Sequence, residues 1–158
     1  MNQHTKERIH VACAVIKNSR GEVLLSLRPD HVHQGGLWEY PGGKLEDNEN
    51  VEVALRRELH EELGITLESS RPMIRVRHRY EDCDVLLDVR FVTEYTGQPE
   101  GREGQRLDWV KPEALSKRNM PAADVPINNA VRLPDRYMIT GDYKQDTQHY
   151  LAKLKAAL

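Results

Sequence analysis

The chain has 158 residues, enough for one ordinary domain, with 39% hydrophobic, 30% charged and 6% aromatic residues and a formal net charge of -2. That balance excludes a disordered or membrane-embedded protein, and the lack of a basic excess argues against long nucleic acid as a partner. The first ten residues carry no apolar leader core and the longest apolar run, Val11 to Ile16, is too short to span a bilayer, so the expected setting is the cytoplasm, away from membranes.

In chain order, His10 to Asn18 and Val23 to Arg28 read as two strands joined in a hairpin by a glycine-containing turn. Leu37 to Tyr40 reads as a short aromatic strand stopped by Pro41-Gly42-Gly43. Asn50 suits an N-cap and Gly64 a left-handed C-cap, which predicts a helix between them. The β-rich runs 72–81 and 84–95 flank Asp82 and Cys83 as a second hairpin, and Arg106 to Val110 is one more strand. Pro112 opens a short helix, Pro121 and Pro126 bracket a loop, and a short helix over Asn128 to Leu133 ends before Pro134. Beyond it, 136–140 reads as a strand, and Tyr150, Leu151, Leu154, Ala157 and Leu158 form an apolar helical stripe.

The chemistry concentrates in the helix between Asn50 and Gly64. At 100 degrees per residue, Val51, Leu55, Leu59 and Leu63 form its apolar stripe. Glu62 falls inside that stripe, Glu58 beside it, and Glu61 further round the same side. Solvation explains a surface acid such as Glu61, steadied by Arg57 four residues before it, but not Glu62. A carboxylate turned toward a core is costly unless it is paired or metal-bound, and clustered hard oxygens suit Mg²⁺ or Mn²⁺. Cys13 and Cys83 match no ligand spacing, and His31 and His33 lack a third ligand and are read as loop residues.

The register Gly43, five residues, Glu49, seven residues, then Arg57-Glu58-Leu59-x-Glu61-Glu62-x-Gly64-Ile65 resembles a complete Nudix box. The likeness extends to about Ile127 and is nearest the MutT branch, the nucleotide-pool sanitising enzymes. The resemblance implies an α/β fold, an α/β/α sandwich around a mixed β-sheet, and hydrolysis of a nucleoside diphosphate linked to another group. It also implies that Gly42, through its carbonyl, and Glu58, Glu61 and Glu62 bind the divalent ions, Mg²⁺ or alternatively Mn²⁺. Glu103 stands where MutT-like proteins carry a loop glutamate that ligates metal or serves as base, so the general base is either Glu58 or Glu103. Arg57 would orient the glutamates or act as a simple partner of Glu61, and Glu49 is read as structural.

For substrate, Arg28 matches a family arginine near the nucleotide. Tyr40 and Tyr80 stand where that branch places aromatics against the base, sheet packing being their other reading. Lys44 offers a cation to phosphate or to solvent. Two positions depart from the MutT pattern: Cys83 where it has an arginine, and Asp124 where it has the asparagine that reads oxidised guanine.

The expected activity is Mg²⁺-dependent hydrolysis of a nucleoside triphosphate to monophosphate and pyrophosphate, with 8-oxo-dGTP as candidate substrate. The alternatives are a Nudix hydrolase for ADP-ribose or another nucleotide sugar, and a non-catalytic nucleotide-sensing module. Residues 1–133 are expected to form the Nudix domain. Residues 134–158 are read as a linker or tail that resembles the first β-α unit of a thiamine-phosphate-synthase-like domain, so the expectation is either a fused C-terminal domain or a tail that packs on its own Nudix domain, and the oligomeric state is open.

Overall fold

The computed structural model describes residues 7–32 and 34–134, together with positions 148, 151, 152, 155 and 156. In chain order the elements are β1 (Glu7–Val15), β2 (Val23–Leu27), β3 (Trp38–Glu39), β4 (Gly42–Lys44), α1 (Val51–Leu63), β5 (Thr66–Arg79), β6 (Cys83–Thr96), β7 (Leu107–Val110) and α2 (Val125–Arg132). Short 3₁₀ turns lie at Pro112–Lys117 and Ala122–Asp124. A four-stranded sheet runs β4-β1-β6-β5 and a three-stranded one β3-β2-β7. In the larger sheet β1 is parallel to β6 and antiparallel to β4, so it is mixed, as expected.

From Ala12 onward β1 is buried on both faces, which is why its sequence there reads as a continuous apolar run. Ala12, Ala14 and, just beyond the strand, Ile16 pack with Leu55, Leu59 and Leu63 of α1. Cys13 and Val15 belong to the opposite core, with Val76, Val89, Leu115, Ile127 and Val131. Helices therefore cover both sides of the mixed sheet. Leu55, Leu59 and Leu63 are fully buried, and each contributes about 2 kcal/mol by leaving water. The helix has the expected ends: Asn50 Oδ1 accepts from the amides of Glu52 and Val53, both at 3.0 Å, and Gly64 sits at φ 70°.

Four expectations change. The first two strands do not form a hairpin within one sheet: the turn keeps one antiparallel bridge, Lys17 with Val23, after which β1 and β2 enter different sheets. The stop at Pro41-Gly42-Gly43 is only a bend, because Gly42 and Gly43 go on to pair with Cys13 and Ala12 as β4. The loop between Pro121 and Pro126 is largely helical, since Pro126 occupies the first turn of α2, where its missing N–H costs nothing. β5 begins at Thr66, before Pro72, which a sheet edge tolerates and which falls at a register irregularity. The hairpin around Asp82 and Cys83 forms as expected. The strand over 136–140 lies outside the described residues; of the terminal helix, positions 148, 151, 152, 155 and 156 are helical. Among the described residues no helix is long and apolar enough to cross a membrane.

Candidate active site

α1 turns Glu58 and Glu62 toward β4. A side chain at Gly43 would run into the Glu58 carboxylate, and one at Gly42 into the Ala12 carbonyl, so the paired glycines let strand and helix approach. The Gly42 amide donates to Glu62 Oε2 at 3.3 Å. Glu62 and Glu58 are half-buried while Glu61 is exposed, the order expected from their positions on the helix.

Arg57 ties the acids together. Its Nε and Nη2 donate to the two oxygens of Glu49 at 2.9 and 2.8 Å, its Nη1 to Glu58 at 2.8 Å and Glu61 at 3.3 Å, and Nη2 also to the Lys44 carbonyl at 3.1 Å. The fork holds the Glu49 carboxyl down at about 2, with the Glu46 amide adding a further hydrogen bond. Glu49 thus anchors the arginine, which in turn fixes the helix acids.

The loop after β6 closes the end of α1. Backbone amides of Glu100 and Arg102 donate to the carbonyls of Leu63 and Glu62 at 3.0 and 2.9 Å, and the Gln105 amide reaches the same Glu62 carbonyl at 3.0 Å. These bonds satisfy carbonyls that the helix leaves without partners. Gln105 also accepts from the Glu103 amide at 2.9 Å, which sets the loop glutamate close enough for its charge to act on Glu58 and Glu62. Burial, then Glu58, Glu39 and Glu103, push the Glu62 carboxyl up to about 8 against the Gly42 amide. Burial also raises Glu58, opposed by Arg57.

Beside these acids a cleft of about 690 Å³ opens, lined by Arg28, Tyr40, Gly42, Lys44, Tyr80 and Asp124 among others. Tyr40 is 2% exposed and its hydroxyl donates to Asn128 Oδ1 at 2.7 Å, so it forms the cleft wall as part of the core. Tyr80 is half-buried, its hydroxyl accepting from the Ala123 amide at 3.3 Å. Arg28 is ion-paired with Glu39, and Lys44 is exposed at the rim. Asp124 is 5% exposed, and burial, then the Glu39 charge, push its carboxyl up to about 7 against the pull of Arg28. Cys83 also lines the cleft; His31 sits exposed in a turn, and His33 lies outside the described residues.

Two residues here escaped the sequence reading. Glu39 links the cleft to the helix acids, raising both Asp124 and Glu62; opposite charges on neighbouring strands, Arg28 and Glu39, were the available signal. Asn128 fixes Tyr40, and a helix of eight residues carries no pattern that singles it out.

The donor set fits a hard divalent ion. It is made of oxygens, and among the described residues the half-buried Glu62 carboxyl has a single, long hydrogen bond while other carboxylates crowd it. Among the described residues no three His, Cys, Asp or Glu side chains converge as ligands, and Arg57 bridges Glu58 and Glu61 instead.

A NUDIX domain model matches residues 12–130. The chain is 40% identical over 99 residues to an 8-oxo-dGTP diphosphatase of Proteus vulgaris, across 63% of this chain and 88% of that protein. It is 34% identical over 122 residues to a CTP pyrophosphohydrolase of Escherichia coli (strain K12), across 77% and 90%. A solved structure from a study of MutT in Aliivibrio salmonicida and Vibrio cholerae superposes with a TM-score of 0.69 at 40% identity, covering 79% of this chain and 97% of that one. The chain belongs to the NUDIX domain family, in its MutT-like branch.

Proposed function

We propose that this Nudix pyrophosphohydrolase cleaves nucleoside triphosphates to a monophosphate and pyrophosphate in a Mg²⁺-dependent reaction, with 8-oxo-dGTP as the leading substrate. The observation that carries the reading is the juxtaposition of the half-buried Glu62 and Glu58, which α1 sets against the Gly42-Gly43 strand, with a base-sized cleft that Asp124 helps to line. Glu58, Glu61, Glu62, the Gly42 carbonyl and Glu103 would hold the divalent ion, which supplies charge neutralisation on phosphate oxygens and a more acidic water.

The protein's own groups do the rest. Arg57 orients Glu58 and Glu61, and Glu49 locks Arg57 from behind. Glu58 is committed to Arg57, whereas among the described residues the Glu103 carboxylate has no hydrogen-bond or ion-pair partner, so we assign the proton of the attacking water to Glu103. Arg28 stands at the cleft to meet the nucleotide, Lys44 at the rim to meet phosphate, and Tyr80 and Tyr40 wall the base site. Asp124, about half protonated near pH 7 at its shifted value, donates to the base edge when protonated and accepts from it when ionised. The 1–133 segment carries all of these residues and is proposed as the catalytic domain, with the tail outside it.

The relatives divide between oxidised-purine and pyrimidine triphosphates, so the test is a panel of 8-oxo-dGTP, dGTP, CTP and ADP-ribose with and without Mg²⁺. Pyrophosphate release from 8-oxo-dGTP, with at least a tenfold kcat/KM preference over CTP, is the expected result. Release of AMP from ADP-ribose as the faster reaction would overturn it.

A further inference from the structure

The helix-facing side of the larger sheet is only partly covered. α1 packs over Ala12 and Ala14, but toward the start of β1 the same face continues beyond it. Cross-strand register places two rows there: Arg8, Asp84 and Arg79 in one, His10, Leu86 and Arg77 in the next. Together they line a groove of about 550 Å³. The substrate cleft opens on the reverse, where Val11 and Leu87 of the same strands line it, while Ile9 and Val85 border both concavities. The two concavities are back to back through one sheet.

The groove is electropositive in a chain whose net charge is -2. Three guanidiniums face one carboxylate, an excess of two positive charges. Arg79 donates to Asp84 at 3.2 Å, but among the described residues neither Arg8 nor Arg77 has an ion-pair or hydrogen-bond partner. In the same groove His10 Nε2 is buried without a hydrogen bond among the described residues, 3.7 Å from Asp88, whose carboxylate is taken by Arg75 at 2.7 Å. Unpaired cations gathered in a concavity cost Coulomb energy that an anion would relieve.

We propose that this groove is a second binding site, for a compact, multiply charged phosphate ligand: a diphosphate group, free or at the end of a nucleotide. Arginine forks grip phosphate oxygens bidentately. β1 and β5 flank β6, so Arg8 and Arg77 reach in from strands about 10 Å apart, over Leu86, a span suited to two adjacent phosphoryl groups. A long polyanion fits less well, because the excess charge ends with these two rows. The assignment is independent of the reaction proposed above.

The test is calorimetric titration of the full chain in EDTA with pyrophosphate, with GDP and with a ten-nucleotide oligothymidylate, using wild type, the double variant Arg8→Ser/Arg77→Ser, and Glu62→Gln. Pyrophosphate should bind saturably to wild type and to Glu62→Gln, and at least about tenfold more weakly to the double variant, which loses two charge-assisted contacts. Raising the salt should weaken it further. Hydrolytic kcat/KM should not change in the double variant. GDP bound with the same arginine dependence would extend the site to nucleotide tails; GDP left unbound would restrict it to the free anion. If the double variant lowers Tm, the single reversal Arg77→Glu carries the comparison. No saturable pyrophosphate binding, binding unaffected by the arginines, loss in Glu62→Gln instead, or binding of the oligonucleotide alone would each overturn the proposal.

Discussion

Replacing Asp124 by asparagine changes one atom in a site that is 5% exposed, and it separates two effects of the same carboxyl. The folded protein pushes this carboxyl from its ordinary 3.8 up to about 7, through burial first and the Glu39 charge second. An acid whose folded value is raised binds its proton more tightly in the folded state. Its share of stability is therefore present at low pH and is lost as pH climbs from about 4 to about 7. The gap between the two values caps the loss at about 4 kcal/mol, and solvent entering the cleft will reduce it. Asp124→Asn should flatten that part of the stability profile and leave the protein more stable than wild type at pH 8, read by chemical denaturation from pH 5 to 9.

On the proposed function, the same protonation should also govern selectivity. A neutral carboxyl can donate to O6 of 8-oxoguanine, whereas an ionised one cannot. Wild-type discrimination of 8-oxo-dGTP over dGTP, measured as a ratio of kcat/KM, should fall as pH rises through about 7. In Asp124→Asn it should be flat and higher at pH 8, by about 1–3 kcal/mol of transition-state binding. An unchanged ratio and an unchanged pH profile in the variant would refute the base-reading role.

Gly43→Ala should fold, yet drop kcat by more than tenfold, because the new methyl displaces the Glu58 carboxylate; steady-state kinetics beside circular dichroism checks this. Glu62→Gln and Glu61→Gln should each lower kcat at least about a hundredfold with the fold retained, and near-wild-type turnover in either would remove that residue from the metal set. A chain ending after residue 134 should keep wild-type kcat/KM, since the box and cleft residues all precede that point; a folded but inactive product would place the tail at the active site.

The box and its helix were legible because their signals are local. Asn50, Gly64 and the leucine stripe each act within a few residues, and Glu62 stood out as a charge on an apolar face. The two-sheet division was not legible, because β1 chooses β6, more than seventy residues away, over its neighbour β2. The apolar run from Val11 to Val15 could not reveal that choice, since both faces of β1 are buried from Ala12 onward. The cleft was half legible: family positions led to Arg28, Tyr80 and Asp124, but Glu39 and Asn128 act only through partners that the folded chain supplies.

β1 is a wall shared by the helix acids and the cleft. The Ala12 carbonyl sits beneath Gly42, its methyl lies under α1, and its neighbour Cys13 faces the substrate cleft. A larger residue at position 12 would lift the helix that carries Glu58 and Glu62, while a larger one at 13 would fill the cleft and leave the acids in place. At this point of the strand the two adjacent residues face different parts of the site, so substitutions at 13 should alter what is bound and substitutions at 12 whether it is cut, although both rest on the same few residues of backbone.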